Sequence, residues 1–151
     1  FGAGGMAAAS LRIPAPVGPG MPEGRLLTTL VHRALAGQSL VLHGTGSRRQ
    51  NYVDVRDVAH AVRACLEQPV SGLFNIAGPE SVSNLELAEE VVRQTGSTSS
   101  IVFSGQPDPG DDMNWVVSCQ RAFDCFGYAA RHAMNDAVAE VVREARGNSG
   151  K

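Results

Sequence analysis

The stretch Gly44–Leu66 constrains the fold more than any other part of the chain; it is GTGSRRQNYVDVRDVAHAVRACL. A glycine-containing turn leads into Gln50–Val55, where alternating side chains predict a short strand. The period then changes to that of an amphipathic helix from about Asp57 to Glu67. The apolar stripe of this helix consists of Val58, Ala59, Val62, Cys65 and Leu66. The pattern therefore predicts a strand that passes directly into a helix with one apolar side.

The junction between this strand and helix carries two carboxylates. Asp54 belongs to a residue type that is preferred at helix N-caps, and Asp57 follows three residues later as an acidic version of a capping pair. Carboxylates interact favourably with the positively polarised N-terminus of a helix. We therefore expect both side chains to stabilise the start of the helix.

Composition excludes several classes of protein. With 151 residues, 43% hydrophobic and 19% charged, the chain is expected to form one globular domain, residues 1–151. A formal net charge of −2 gives no general attraction to nucleic acid or to an anionic membrane. No apolar run reaches the roughly 20 residues that span a bilayer. Three cysteines form no disulfide framework, so we expect a reducing, cytoplasmic setting.

Periodicity and capping residues predict the remaining elements. Strands are expected at Ser10–Ile13, Ser39–Leu42, Gly72–Ala77 and Ile101–Phe103. Helices are expected at Gly24–Gly37, Ala122–Phe126 and Met134–Arg146. A further helix is expected to begin at a capping box formed by Ser83 and Glu86 and to end at Gly96. The proline-rich segment 14–22 excludes a regular helix and predicts rigid turns.

Several residues admit a functional and a structural interpretation. Gly44–Ser47 could cradle a phosphate, but the turn joins two strands and opens no helix, which favours a structural turn. Arg48 and Arg49 could clamp a diphosphate with paired hydrogen bonds, or could form the solvated shoulder of a hairpin. No metal site is expected: Cys119, Cys125 and His132 are too widely spaced for a zinc pattern. The aspartates of 108–112 do not have the spacing of a calcium-binding loop.

Four segments in order resemble the extended short-chain dehydrogenase/reductase family, which includes sugar-nucleotide epimerases, dehydratases and reductases. VDVRDVAHAV is similar to the family segment V-x-D-V-A-x-A, and LRIPAPVGPG is similar to its R-x-x-x-x-x-G-P-G segment. The third is GLFNIAGPESVSNLELAEEV, and the fourth is the tail DDMNWVVSCQRAFDCFGYAAR. All four belong to the substrate-side, C-terminal half of the family. The resemblance implies an α/β fold: a partial Rossmann-like parallel sheet with helices, plus a small C-terminal substrate-binding α/β subdomain.

Two motifs of the family are missing from the sequence. There is no G-x-x-G-x-x-G after an opening strand and no Y-x-x-x-K. The opening FGAGG does not replace the first, because no strand precedes it and no acidic residue follows about 20 positions later. We therefore expect the chain to be the C-terminal part of a longer enzyme that uses NAD or NADP. No catalytic residue is assigned to this chain, and neither cofactor is expected to bind tightly to it alone.

The resemblance also implies site residues, position by position. Those implied near the nicotinamide end of the cofactor are Arg12, Pro14 and Pro16. Those implied to contact a nucleotide-sugar substrate are Arg48, Arg49, Gln50 and Tyr52. Gln50 stands where the family carries a diphosphate-binding arginine, with Arg49 one residue early. Near 113–115, where a second such arginine often lies in the family, the nearest arginine is Arg121.

Three functional hypotheses remain open from the sequence. The first is the substrate-binding region of a sugar-nucleotide epimerase, dehydratase or reductase. The second is a non-catalytic binding or regulatory module that kept the fold, for which the displaced arginines argue. The third is a truncation without activity of its own. We expect a homo-oligomer, because sheet edges left exposed by a missing half favour association.

Overall fold

The computed structural model describes residues 6–148, so the opening FGAGG lies outside the described residues. The described strands are β1 (Ala9–Arg12), β2 (Ala15–Val17), β3 (Leu40–Leu42), β4 (Arg49–Asp54), β5 (Gly72–Asn75), β6 (Ser81–Ser83) and β7 (Ile101–Phe103). The described helices are α1 (Leu26–Leu35), α2 (Val55–Glu67), α3 (Asn84–Thr95), α4 (Gln120–Phe126) and α5 (Met134–Asn148). Among these residues no helix is long and apolar enough to cross a membrane.

The strands form three small sheets in which parallel pairing dominates. β1 pairs in parallel with β5, and β3 pairs in parallel with β7. The third sheet has the order β2–β4–β6, with β2 parallel and β6 antiparallel to β4. Helices connect and cover these sheets, which confirms the predicted α/β class with a partial Rossmann-like parallel sheet.

The apolar side chains form two separate hydrophobic clusters. The larger joins α1, α3 and α5 to β3, with fully buried residues such as Leu30, Leu40, Leu87 and Val138. The smaller cluster joins β4 and α2 to β5, α4 and the residues that follow β5 and α4. Its buried members are Val53, Ala61, Phe74, Ile76, Ala122, Phe126 and Tyr128. The chain is therefore built around two cores, and β4 contributes to the packing of both through Tyr52 and Val53.

The predicted strand-to-helix junction is confirmed, with α2 beginning two residues earlier than expected. The Asp54 carboxylate accepts a hydrogen bond from the Arg56 backbone N–H at 2.8 Å, and therefore acts as the N-cap. Arg56 also donates from its guanidinium to the same carboxylate, at 2.7 Å from Nη2. Burial raises the pKa of Asp54, but the hydrogen bonds and charge of Arg56 outweigh it and lower that pKa overall.

Two expectations about α2 are wrong. The predicted apolar stripe is only partly buried: Val62 is 44% exposed and Leu66 is 81% exposed. The buried residues of α2 are instead Asp57 and Ala61. They lie one turn apart on a narrow side of the helix, next to the predicted stripe, and this narrow side is the one that packs. Asp57 is not a cap either, because its carboxylate accepts hydrogen bonds from the backbone N–H groups of Arg131 and His132.

The other local signals are confirmed. Ser83 and Glu86 form the predicted capping box of α3, and Gly96 ends that helix in the left-handed conformation. Gly127 ends α4 in the same way. The short strands β2 and β6 were not predicted. Proline is tolerated in β2 because this strand lies at a sheet edge and pairs only with β4.

Candidate functional site

A cleft of about 530 Å³ lies between the proline-rich segment, the start of α1 and β4. Its lining residues are Pro14, Ala15, Pro16, Val17, Met21, Pro22, Arg25, Leu26, Leu27, Gln50 and Tyr52. The volume and the mostly apolar lining with a few polar groups are typical of small-molecule sites. This cleft is therefore the candidate functional site.

Strand pairing positions two walls of the cleft. β2 runs parallel to β4 with Ala15 beside Tyr52 and Val17 beside Asp54. The chain then leaves β2 at Gly18, whose φ is +152°. A Cβ at this position would lie 2.5 Å from Cγ2 of Val55, so close packing on α2 and the backbone conformation both favour glycine. The sharp exit carries the following loop around the cleft to α1.

Three polar side chains face this apolar lining: Arg25, Gln50 and Tyr52. Burial raises the pKa of the Tyr52 phenol, and the charge of Arg48 opposes that rise only in part. The phenol therefore stays protonated near neutral pH and can donate or accept a hydrogen bond. In the described part of the chain, the Arg25 side chain has neither a hydrogen bond nor an ion pair, so its charge remains available to an anionic ligand.

The structure brings together some of the predicted site residues and separates others. Pro14 and Pro16, predicted on the cofactor side, and Gln50 and Tyr52, predicted on the substrate side, all line the cleft. Arg12 does not line it: it ends β1 with an exposed side chain, and its carbonyl accepts the Ile76 N–H.

The two predicted clamp arginines are engaged in internal ion pairs outside the cleft. Arg48 lies 3.5 Å from Asp108, and a Cβ at Gly110 would come within 2.8 Å of its Cδ and Nε atoms. Arg49 lies 3.0 Å from Glu86 and donates to the Ser81 carbonyl at 2.6 Å. In this structure both guanidinium groups therefore hold loops and α3 in place.

Arg25 is a site residue that the sequence reading missed. It is the N-cap residue of α1 and has no side-chain capping bond. The apolar face of Gly24–Gly37 predicts the helix but indicates nothing about Arg25. The available signal is the position of this residue: it is charged, it follows a proline-rich loop directly, and it begins an amphipathic helix. Only the folding of the loop beside β4 shows that this charge faces Gln50 and Tyr52.

Among residues 6–148 no group of three or more His, Cys, Asp or Glu side chains could hold a metal ion. The aspartates of 108–112 instead serve the loop itself. Asp111 accepts hydrogen bonds from the backbone and side chain of Thr45, and Asp108 accepts the Gly110 N–H. The cleft itself presents hydrogen-bonding groups, one cation and apolar surface.

The sequence matches a family model described as the NAD dependent epimerase/dehydratase family over residues 2–77. It is 26% identical over 132 residues to a dTDP-glucose 4,6-dehydratase of Streptomyces niveus, covering 87% of this chain and 39% of that protein. It is 33% identical over 88 residues to a dTDP-4-dehydro-6-deoxy-D-allose reductase of Streptomyces bikiniensis, covering 58% of this chain and 26% of that protein. The chain thus spans well under half of the curated relatives' length.

Solved structures share the fold. A UDP-glucose 4-epimerase of Thermotoga maritima, determined with UDP-glucose, superposes with a TM-score of 0.85 at 22% identity, covering 96% of this chain and 48% of that chain. A UDP-glucuronic acid 4-epimerase of Bacillus cereus, in complex with UDP-glucuronic acid and NAD, superposes with a TM-score of 0.81 at 20% identity. That match covers 91% of this chain and 45% of the epimerase.

Proposed function

The chain belongs to the NAD dependent epimerase/dehydratase family, and from this membership we propose that it is the C-terminal, substrate-binding region of an enzyme acting on a nucleotide-sugar. The observation that carries the proposal is the cleft, which collects Pro14, Pro16, Gln50 and Tyr52 in one place. The family resemblance of the sequence implies ligand contact for all four of these residues.

Each polar group of the cleft has a defined role in this proposal. Arg25 neutralises the diphosphate of the nucleotide-sugar, because a guanidinium matches phosphate oxygens in charge and geometry. Gln50 and the protonated Tyr52 hydrogen-bond to uncharged oxygens of the ligand. Pro14 and Pro16 form a rigid apolar wall. Holding the substrate in one orientation is the contribution of this chain to the rate, since positioning alone lowers a reaction barrier.

The residues of this chain do not fit a complete dinucleotide site. In the part of the chain that the structure describes, the glycine turn Gly44–Ser47 joins β3 to β4 and opens no helix. We propose that NAD or NADP is held mainly by a further part of the protein and supplies the hydride chemistry there. Arg12, Pro14 and Pro16 remain the proposed contacts on the nicotinamide side.

A second candidate function follows from the engaged arginines. Because Arg48 and Arg49 are committed to Asp108 and Glu86, a diphosphate meets one free cation in the cleft rather than a pair. If the cleft does not bind nucleotide-sugars, the engaged arginines favour a non-catalytic binding module over an enzyme region. In either case we propose a cytoplasmic, homo-oligomeric protein with no nucleic-acid or membrane partner.

Calorimetric titration of the chain with UDP-glucose and dTDP-glucose tests the proposal. We expect saturable binding, weakened at least tenfold by Arg25→Ala, because a charge-assisted hydrogen bond contributes about 1.5–3 kcal/mol. Arg131→Ala is the matched control, since this arginine side chain has no polar partner among the described residues and lies outside the cleft. Equal weakening by both variants, or no binding of either sugar nucleotide, would contradict the proposal.

A further inference from the structure

One wall of the cleft is a loop between β2 and α1 that has little support of its own. Residues 18–25 bring Met21, Pro22 and Arg25 to the cleft. Two glycines in the left-handed region lie within it, Gly20 with φ +79° and Gly24 with φ +77°. A Cβ at either glycine would meet nothing within 4 Å, so the backbone conformation, and not crowding, favours glycine there.

Most hydrogen bonds of this loop are made within it or to the helix that follows it. Met21 N–H donates to the Gly18 carbonyl at 3.3 Å, and the Thr28 hydroxyl donates to the Pro22 carbonyl at 3.3 Å. Both are long for their types. Such bonds shape the loop but do not fix it relative to the rest of the cleft.

One described side chain from a distant element does fix it. The Glu144 carboxylate accepts the Gly20 N–H at 2.9 Å, across 124 residues of sequence. Glu144 lies on α5, and α5 is anchored in the larger core by the fully buried Val138 and by Val141 and Val142. The bond is charge-assisted and therefore stronger than one between neutral groups.

We propose that Glu144 is a positioning residue of the cleft: it fixes the loop at Gly20 and so sets where Met21 and Pro22 meet the ligand. Among the described residues, the loop is otherwise held by the packing of Met21 against the larger cluster, by its bonds to α1, and by the weak approach of Glu23 to His32 at 3.5 Å. Without Glu144 the segment between Gly18 and Gly24 can move outward. Arg25 stays with α1, because its carbonyl accepts the Thr28 hydroxyl at 3.0 Å and the Thr29 N–H at 2.9 Å. The inference rests on the proposed function for the identity of the ligand, but not for the position of the loop.

Two measurements on three variants test this role. Glu144→Ala removes the acceptor, whereas Glu144→Gln keeps an amide oxygen that can still accept the Gly20 N–H. Glu140→Ala is the matched control, because Glu140 lies one turn earlier on α5 and pairs with Arg56 and Arg143 rather than with the loop. Amide hydrogen exchange of residues 18–25 and the Kd for UDP-glucose are measured for each.

We expect Glu144→Ala to speed exchange in residues 18–25 at least fivefold and to raise the Kd at least threefold. Glu144→Gln should restore most of both values, and Glu140→Ala should change neither. Unchanged exchange in the loop, or faster exchange with an unchanged Kd, overturns the positioning role. If the wild-type chain binds no UDP-glucose, the proposed function fails for this ligand, and exchange in residues 18–25 alone decides whether Glu144 fixes the loop.

Discussion

Asp57 and His132 lie 75 residues apart in sequence, and their side chains meet at 2.8 Å between Oδ1 and Nδ1. Nδ1 of the ring donates, because an ionised carboxylate only accepts. The other carboxylate oxygen accepts the backbone N–H groups of Arg131 and His132, at 3.1 Å and 3.0 Å. Asp57 is 1% exposed, so one buried carboxylate fastens the segment before α5 to the first turn of α2.

Removing this carboxylate is expected to destabilise the chain strongly. Asp57→Ala leaves three donors without their acceptor, and breaking a buried charged network typically costs about 3 kcal/mol in the free energy of unfolding. Asp124→Ala is the control, because Asp124 is exposed on α4 and accepts one bond from Gln120. Its effect should stay within about 0.5 kcal/mol. Urea unfolding measures both, and similar midpoints for the two variants would contradict the assignment.

The contrast between Asp54 and Asp57 shows which parts of the structure could be predicted from the sequence. Asp54 and the Ser83–Glu86 capping box act on backbone groups two or three residues away, so local sequence suffices to predict them. The partner of Asp57 arrives from 75 residues away, and no local pattern indicates it. The local pattern therefore predicts that Asp57 interacts with the N-terminus of its own helix, whereas in the structure it fastens two distant segments.

The same distinction applies to the site. Gln50 and Tyr52 could be selected because they lie on one strand next to recognisable motifs, and the cleft does contain them. Arg25 comes from a different element, and Arg48 and Arg49 find acidic partners at 108 and 86 that only the fold brings near. The sequence thus predicts which strand carries the site, but not which of the charged side chains near that strand are free to face the cleft.

Gly78 is expected to be intolerant of any side chain. A Cβ there would lie 1.9 Å from the Tyr52 carbonyl oxygen. Asn51 also brackets this glycine, accepting its N–H at 2.7 Å and donating to its carbonyl at 3.1 Å. Gly78→Ala must therefore push β4 away, and we expect it to lower the free energy of unfolding by more than about 2 kcal/mol.

Gly147→Ala provides the matched control for that substitution. Gly147 lies within α5, and a Cβ there would meet nothing within 4 Å. Alanine favours a helix over glycine by about 1 kcal/mol, so this variant should be as stable as the wild type or more so. Thermal unfolding followed by circular dichroism compares the two, and a Gly78→Ala variant as stable as Gly147→Ala would show the close contact to be wrong.

The Glu86–Arg49 pair predicts a dependence of stability on pH. The Ser83 backbone N–H and then the Arg49 guanidinium lower the pKa of Glu86 below that of a free glutamate. Its folded-state pKa is thus below the unfolded-state pKa, so its contribution to stability is present above about pH 4.5 and disappears as the pH falls through the lower value. The side chain is 49% exposed, so solvent screening limits the contribution to about 1 kcal/mol or less.

Glu86→Gln should therefore lower the midpoint of urea unfolding at pH 7, and its difference from the wild type should vanish as the pH falls below the lowered folded-state pKa of Glu86. Glu89→Gln serves as the control, because Glu89 lies on the exposed side of the same helix. The control should track the wild type at every pH. A Glu86→Gln difference that persists undiminished in acid would show that the ion pair and cap are not its source.

The exposed stripe of α2 predicts self-association of the isolated chain. In the described residues β1 and β5 pair only with each other, which leaves both outer edges of this parallel sheet open, and parallel sheets are normally covered on both faces. Leu66 on α2 is 81% exposed, and α2 packs on the same cluster as β5. We therefore expect this exposed apolar surface to be buried against a second copy of the chain.

Sedimentation velocity across a range of concentrations measures this association. We expect a concentration-dependent dimer for the wild type, weakened at least tenfold by Leu66→Lys, because a charge placed in an apolar interface must lose its hydration. Val116→Lys is closely matched, since Val116 is 82% exposed but lies on a loop and not on α2. We expect Val116→Lys to leave the dimer unchanged. The reason is that the burial of Leu66, and not a general reduction of exposed apolar area, drives the association. A single monomeric species at all concentrations would rule out this use of the surface, and equal loss of the dimer in both variants would assign it to non-specific apolar contact.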